Sequence, residues 1–359
     1  MPEVFAPMSR APLPTPRRRR LSRVLAFTLG VFCAFLLLIS VGWGVLALRY
    51  FDHLGTGTQQ VLASSFGLVA VLGLAAALRP AWRWRALAAY SALFAAVLVA
   101  WSTLKPSNHR DWIPEVAGLS YASIDGSRIT LHNIRNFDYR SENDFTPAYY
   151  DRTFDVAQLS GVDLIASYWM GPKIAHIFLS FEFNGHEHVA ISIEARRARG
   201  EPYSSLQGFF RRFELIYVVA DERDVIRLRT NYRRDPPEQV YLYRLRGPGE
   251  DGRRLFLAYV QEINSLRDQA QFYNSLTTNC AGSIWMLSRV NADHLPYSWK
   301  ILLSGYIPEL LYENGRLDTS VPFGELQERA HINARARAAG ADPDFSARIR
   351  APPVASVAN

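Results

Sequence analysis

The chain has 359 residues, 49% of them apolar and 20% charged, which excludes a disordered acidic chain, and its two cysteines exclude a disulfide framework. The net charge of +7 is unevenly placed: residues 1–105 carry 11 Lys/Arg against Glu3 and Asp52, whereas residues 106–359 carry 29 Lys/Arg against 31 Asp/Glu. Basic charge gathered around an apolar N-terminal third is a topology signal, and a nucleic-acid surface loses its main support.

From Val24 to Leu48 there is no charged residue, and Val61–Leu78 and Ala86–Leu104 are two further uncharged runs. Each is long enough to span a bilayer, and none has the charged stripe of an amphipathic soluble helix, so three transmembrane helices are expected within residues 24–104. A signal peptide does not fit the first run, because its apolar core is usually only ~7–15 residues. Arg17–Arg20 and Arg23 precede the first span, and Arg79, Arg83 and Arg85 lie between the second and third. The positive-inside rule then makes residues 1–23 a basic cytoplasmic segment and delivers the chain after Leu104 to the periplasm of a bacterial inner membrane.

Residues 105–333 read as a periplasmic α+β domain, and residues 334–359, rich in Ala, Arg and Pro, as a disordered tail. Strands are expected at Arg128–Asn133, Ile174–Phe183, His188–Ala195, Phe213–Val219 and Gln239–Arg244, and helices at Leu255–Leu266, Thr278–Val290 and Ile301–Leu311. Strands followed by helices suggest one antiparallel sheet with helices.

The hairpin from Ile174 to Ala195 alternates on both arms. Its two apolar sets share a face only if the loop is Asn184, Gly185 and His186, which pairs Phe183 with Glu187 and Leu179 with Ile191. That register sets His176 opposite Glu194, within reach of a hydrogen bond, the base-plus-orienter half of a triad. The thiol half is Cys280. Thr277, Thr278 and Asn279 are all acceptable N-caps for the helix that follows, and a cysteine in a first helical turn is favoured as thiolate. A small hydrophobe packed in the core is the alternative reading of the same residue.

Other polar groups carry less. His186 and His188 lack a nearby third ligand, so no metal is expected. Asp221, Glu222, Arg223 and Asp224 read as a solvated or structural ion-pair loop, and His132 and His294 as surface or satisfied core residues. No nucleotide-loop, zincin or serine-elbow motif occurs, and no cofactor is expected.

The segments NIRNFDYRSENDFTP, AHIFLSFEF, ISIEARR, GEPYSSLQGFFRRFELIYVVADERDVIRLRTNYR, VYLYRL and FYNSLTTNC resemble the bacterial domain family named after the N-terminal periplasmic domain of the lipoprotein N-acyltransferase Lnb, over roughly Asn133 to Val290. The resemblance implies a permuted papain-like fold of the NlpC and lecithin:retinol acyltransferase type, with histidine before cysteine. It implies catalytic Cys280, His176 and Glu194 with Asn279, Ser192 and Arg196 in support. The implied chemistry is acyl transfer through a thioester from a phospholipid, with a lipoprotein N-terminus as acceptor. A cell-envelope cysteine amidase or peptidase and a non-catalytic envelope scaffold are the alternatives. Two departures stand out: Ala281 and Gly282 replace the two threonines that follow the cysteine in many members, and the membrane spans precede the domain.

Overall fold

A computed structural model describes residues 16–52 and 54–352 and divides the chain into two compact units, separated between Leu104 and Lys105. The first unit is helical: α1 (Pro16–Arg49), α2 (Thr56–Ala77) and α3 (Arg83–Ser102) are each long and apolar enough to cross a membrane. Trp43 of α1 meets Phe94 and Trp101 of α3 edge-on, at 5.8 and 5.4 Å between ring centres, and the Ser40 and Tyr90 hydroxyls lie 2.5 Å apart.

The second unit is built on strands β1 (Tyr121–Asp125), β2 (Arg128–Arg135), β3 (Asp138–Tyr139), β4 (Phe145–Thr146), β5 (Tyr149–Asp155), β6 (Leu159–Tyr168), β7 (Ala175–Phe183), β8 (Glu187–Arg196), β9 (Glu214–Ala220) and β10 (Gln239–Arg244). Eight of them form one sheet in the order β1-β2-β9-β8-β7-β6-β10, with β5 also paired to β2, while β3 and β4 pair by themselves. The sheet is antiparallel as expected except for a parallel contact of β2 with β9 at Arg135 and Ala220, which the hairpin pattern does not reveal because it joins strands remote in sequence.

The helices are α4 (Ser205–Gly208), α5 (Glu222–Arg227), α6 (Gly249–Asp268), α7 (Cys280–Ser288), α8 (Trp299–Leu302), α9 (Ile307–Glu313), α10 (Phe323–Ala330), α11 (Asn333–Ala339) and α12 (Phe345–Arg350). One sheet face carries Leu164, Ile177, Leu179, Phe181 and Ile191 under α6, α7, α9 and α10. The other carries Ile165, Phe178, Ala190, Ile216 and Val240 under α5, α11 and α12. Central strands covered on both faces read as nearly continuous apolar runs, which is how β7 and β9 look in the sequence. On α6 the buried residues Leu255, Tyr259, Ile263 and Leu266 recur at helical spacing along one stripe.

The helix expected over Ile301–Leu311 is broken into α8, a turn at Ser304–Tyr306, and α9 with Pro308 in its first turn. Gly305 lies so close to the chain before β7 that a Cβ there would stand 2.1 Å from the Pro172 carbonyl oxygen, and its N–H donates to Lys173 O at 3.0 Å. Ser304 Oγ accepts from the Ala175 N–H at 3.0 Å and donates to the Ala175 carbonyl at 2.6 Å, which pins the strand end that bears His176.

The expected disordered tail is a correction as far as residue 352, and residues 353–359 lie outside the described residues. Ile332, Ala336, Phe345 and Ile349 are fully buried in the second core layer. Composition misses this because one of the tail's Arg residues turns inward: Arg350 bonds Asp163 Oδ2 at 2.7 Å and Glu222 Oε1 at 2.6 Å, both fully buried. Burial alone raises both carboxyls. For Asp163 it still wins, while the Arg350 charge holds Glu222 down to about 2. Breaking a buried pair from one side costs ~3–5 kcal/mol, so Arg350→Met is expected to lower the melting temperature of the domain by ~10 °C, read by differential scanning calorimetry.

Candidate functional site

The β7–β8 hairpin has the three-residue loop and the register read from the alternation: Phe183 pairs with Glu187 and Leu179 with Ile191, and Asn184 and Gly185 take the positive φ that the loop needs. Beyond Leu179 and Ile191 the two strands part. Ala175–Phe178 remains paired to β6 and Ser192–Arg196 to β9, but not to each other. The sheet is therefore split where His176 and Glu194 stand.

The split changes how these two residues meet. His176 Nε2 is 3.7 Å from Glu194 Oε1, too long for the direct hydrogen bond expected from ideal pairing. The hydroxyl of fully buried Ser192 stands between them, 2.7 Å from Nε2 and donating to Glu194 Oε1 at 2.8 Å. With the Ser192 proton committed to the carboxylate, its oxygen accepts from Nε2–H, which selects that tautomer and leaves the Nδ1 lone pair free. Nδ1 has no hydrogen-bond partner among the described residues.

Behind His176, Ser192 and Glu194 lies a polar layer that sequence reading missed. Arg229, buried in a π-helical turn after α5, donates to Glu194 Oε1 at 3.2 Å and lies 3.8 Å from Glu238 Oε2. Glu238 also accepts from Ser167, the β6 neighbour of His176, and from Arg233 at 2.6 Å. The available signal was an arginine inside the apolar stretch DVIRLRTNY, a place where a cation is retained only if it is paired. A π-helical turn is itself a frequent mark of a functional site.

These surroundings set the protonation states. Burial, followed by the Arg229 charge, disfavours imidazolium and brings His176 down to about 4, against the opposing pull of Glu194. Burial would raise Glu194, but Arg229 and then His176 outweigh it and hold the carboxylate well below its usual range. At neutral pH the site therefore contains a neutral imidazole and an ionised carboxylate.

Cys280 opens α7, and the N-cap is Asn279, whose side chain accepts from the Gly282 N–H at 2.7 Å. The half-buried thiol packs on the core layer containing Ile177, and the backbone N–H groups of Ile177, Ala281 and Cys280 itself favour its anion. The expected lowering of its pKa is nonetheless a correction. Burial among apolar side chains outweighs the three amides, the Glu194 charge adds to it, and the thiol is pushed up.

The thiol and the imidazole reach β7 from opposite sides. The His176 ring lies beside Phe178, 5.6 Å centre to centre, whereas the sulfur is against the backbone of Ile177. No hydrogen bond joins them among the described residues. Of the supporting residues, Ser192 is in the site and Asn279 caps the cysteine helix. Arg196 is elsewhere: it donates to the carbonyls of Val116 at 3.0 Å and Ala117 at 2.9 Å and stacks on Trp112, clamping the segment that leads into the domain.

The acidic loop braces the sheet. Asp224 takes two bonds from Arg135, at 3.0 and 2.8 Å, and one from the Phe137 N–H, while Asp221 caps α5. His132 pairs with Asp151 at 2.7 Å, and no cluster of potential metal ligands occurs among the described residues.

Residues 145–305, from β4 to the turn before α9, match the family model of the Lnb N-terminal periplasmic domain. This segment is an Lnb N-terminal periplasmic domain. No curated protein and no solved structure matches the chain. The match encloses the Lnb domain's His176, Ser192, Glu194, Arg229, Glu238 and Cys280. It leaves outside β1–β3 and α9–α12, so the Arg350 clamp on Asp163 and Glu222 is supplied by chain beyond the matched segment.

Proposed function

We propose that the Lnb domain is a thiol acyltransferase of the bacterial cell envelope, a permuted relative of papain-like enzymes, with Cys280 as nucleophile and His176 as base. The observation that carries this reading is the fixed imidazole: Ser192, Glu194 and Arg229 hold Nε2–H from behind and leave Nδ1 as the only basic lone pair, beside the split between β7 and β8 where the Ile177 N–H faces the thiol. In the first step Nδ1 takes the Sγ proton through that split as sulfur attacks the carbonyl carbon of a phospholipid ester. The imidazolium then protonates the departing alkoxide, leaving an acyl-thioester. A neutral amine, the N-terminus of a lipoprotein, attacks the thioester, and the thiol is regenerated as an amide forms. The amide N–H groups around Sγ are suited to the oxyanion of each step, and Glu194 stabilises the transient imidazolium through Ser192.

The raised thiol pKa favours a second reading, in which Cys280 is a packed core residue and the domain a binding scaffold. Intact mass separates the two. Full-length protein incubated with phospholipid is expected to gain one acyl mass that hydroxylamine removes, with no gain in Cys280→Ser. Absence of the adduct from wild type would sink the transferase.

A further inference from the structure

Beside Cys280 the helix side of the sheet holds a largely apolar cleft of about 250 Å³, walled by Ile177 and Leu179 of β7, Leu255 of α6, Ala281 and Ile284 of α7, and Leu311 of α9. Ile177 and Ala281 are also the residues whose backbone N–H groups face the sulfur, so the cleft wall adjoins Cys280. Its polar end does not call for a charged ligand. Arg244 is paired with Asp163 at 2.8 Å and with Glu182, Arg246 with Asp318 at 2.8 Å, and Arg316 donates to the Asp293 carbonyl.

The residues beside the cleft's walls are exposed and apolar. Leu295 and Ile301 line it, while Tyr297, Trp299 and Leu302 are 58%, 56% and 45% exposed. An apolar cavity of this kind stays dry or takes an apolar guest, and contiguous exposed apolar surface marks a lipid or partner contact. The chain itself supplies the choice: three helices able to cross a membrane tether the domain where lipid chains are the abundant hydrocarbon.

We infer that this cleft holds the hydrocarbon chain of the lipid ester, with the carbonyl carbon at Cys280 Sγ and the chain entering past Tyr297, Trp299 and Leu302. The inference rests on the acyl-transfer reading for the position of the carbonyl, but the chain site can be tested alone. Full-length protein in nanodiscs containing phosphatidylcholine with a diazirine near the end of one acyl chain is irradiated, and the labelled peptides are mapped. The spans serve as the internal control for labelling. Label is expected on peptides covering Arg244–Leu255 or Ile284–Leu311, and Ile284→Trp and Ser288→Phe, which fill the cleft, are expected to cut it at least tenfold at unchanged melting temperature. Both are also expected to shorten the longest chain transferred to Cys280. Wild-type label confined to the spans, or label unaffected by either filled variant, overturns the chain site. Cleft label without any acyl mass on Cys280 leaves the chain site standing and removes the transferase, whereas an acyl adduct without cleft label does the reverse.

Discussion

His176→Ala is expected to slow acyl-adduct formation on Cys280 by at least ~10²-fold at pH 7, the ordinary worth of a positioned general base. The magnitude follows from the starting state. Burial keeps the thiol protonated at neutral pH, so the sulfur becomes a good nucleophile only if its proton leaves as the bond to carbon forms. The pH profile distinguishes this from a free thiolate. Because His176 is depressed to about 4 and the thiol is raised, the thiol–imidazole form dominates from about pH 5 to 8. Adduct formation in wild type should be nearly flat across that range and fall only as His176 protonates near 4. Iodoacetamide, which reacts with the thiolate alone, should instead alkylate Cys280 more slowly than a free cysteine, with a rate rising about tenfold per pH unit from pH 7 to 9. A parallel rise of adduct formation with pH, unchanged in His176→Ala, would take the base role away from this residue.

Arg229→Met is expected to destabilise the domain by ~3–5 kcal/mol, because it leaves the Glu194 carboxylate without its buried guanidinium and Glu238 with Arg233 alone. The loss should depend on pH with a definite sign. Glu194 is held below its unfolded value, so its contribution is fully present above the usual carboxylate pKa of ~4.3 and is lost as pH falls below it. Urea unfolding at pH 7 and pH 4 should therefore show the gap between wild type and variant narrowing toward acid. Arg229 also disfavours imidazolium, so its removal should carry the acid limb of adduct formation upward from about 4. That shift, measured on the folded fraction, is a readout a purely structural arginine would not move.

The elements that carry the candidate residues were legible before folding. Helical periodicity and N-cap residues placed Cys280 at the start of a helix, and alternation set the β7–β8 register, because only the three-residue loop brings the apolar sets of both arms to one face. Where sequence reading failed, polar residues acted at long range. Strand β6 is absent from the expected strands, and Asp163 within it is fully buried between Arg244 and Arg350. Arg229 and Glu238 were unassigned for the same reason: a buried ion pair is invisible until its partner arrives.

Charge distribution, uncharged run lengths and local periodicity by themselves determined three apolar N-terminal helices, an α+β domain after Leu104, and the elements that carry His176, Glu194 and Cys280. These signals lie within a few turns or one hairpin, where side chains two, three or four residues apart already share a face. Tertiary structure alone decided that β7 and β8 part beyond Leu179, that Ser192 bridges His176 to Glu194, that α12 returns to neutralise the core acids, and that burial raises the thiol which its helix would lower. Each depends on desolvation and on contacts between residues far apart in the chain, and neither is defined until the layers close on the sheet.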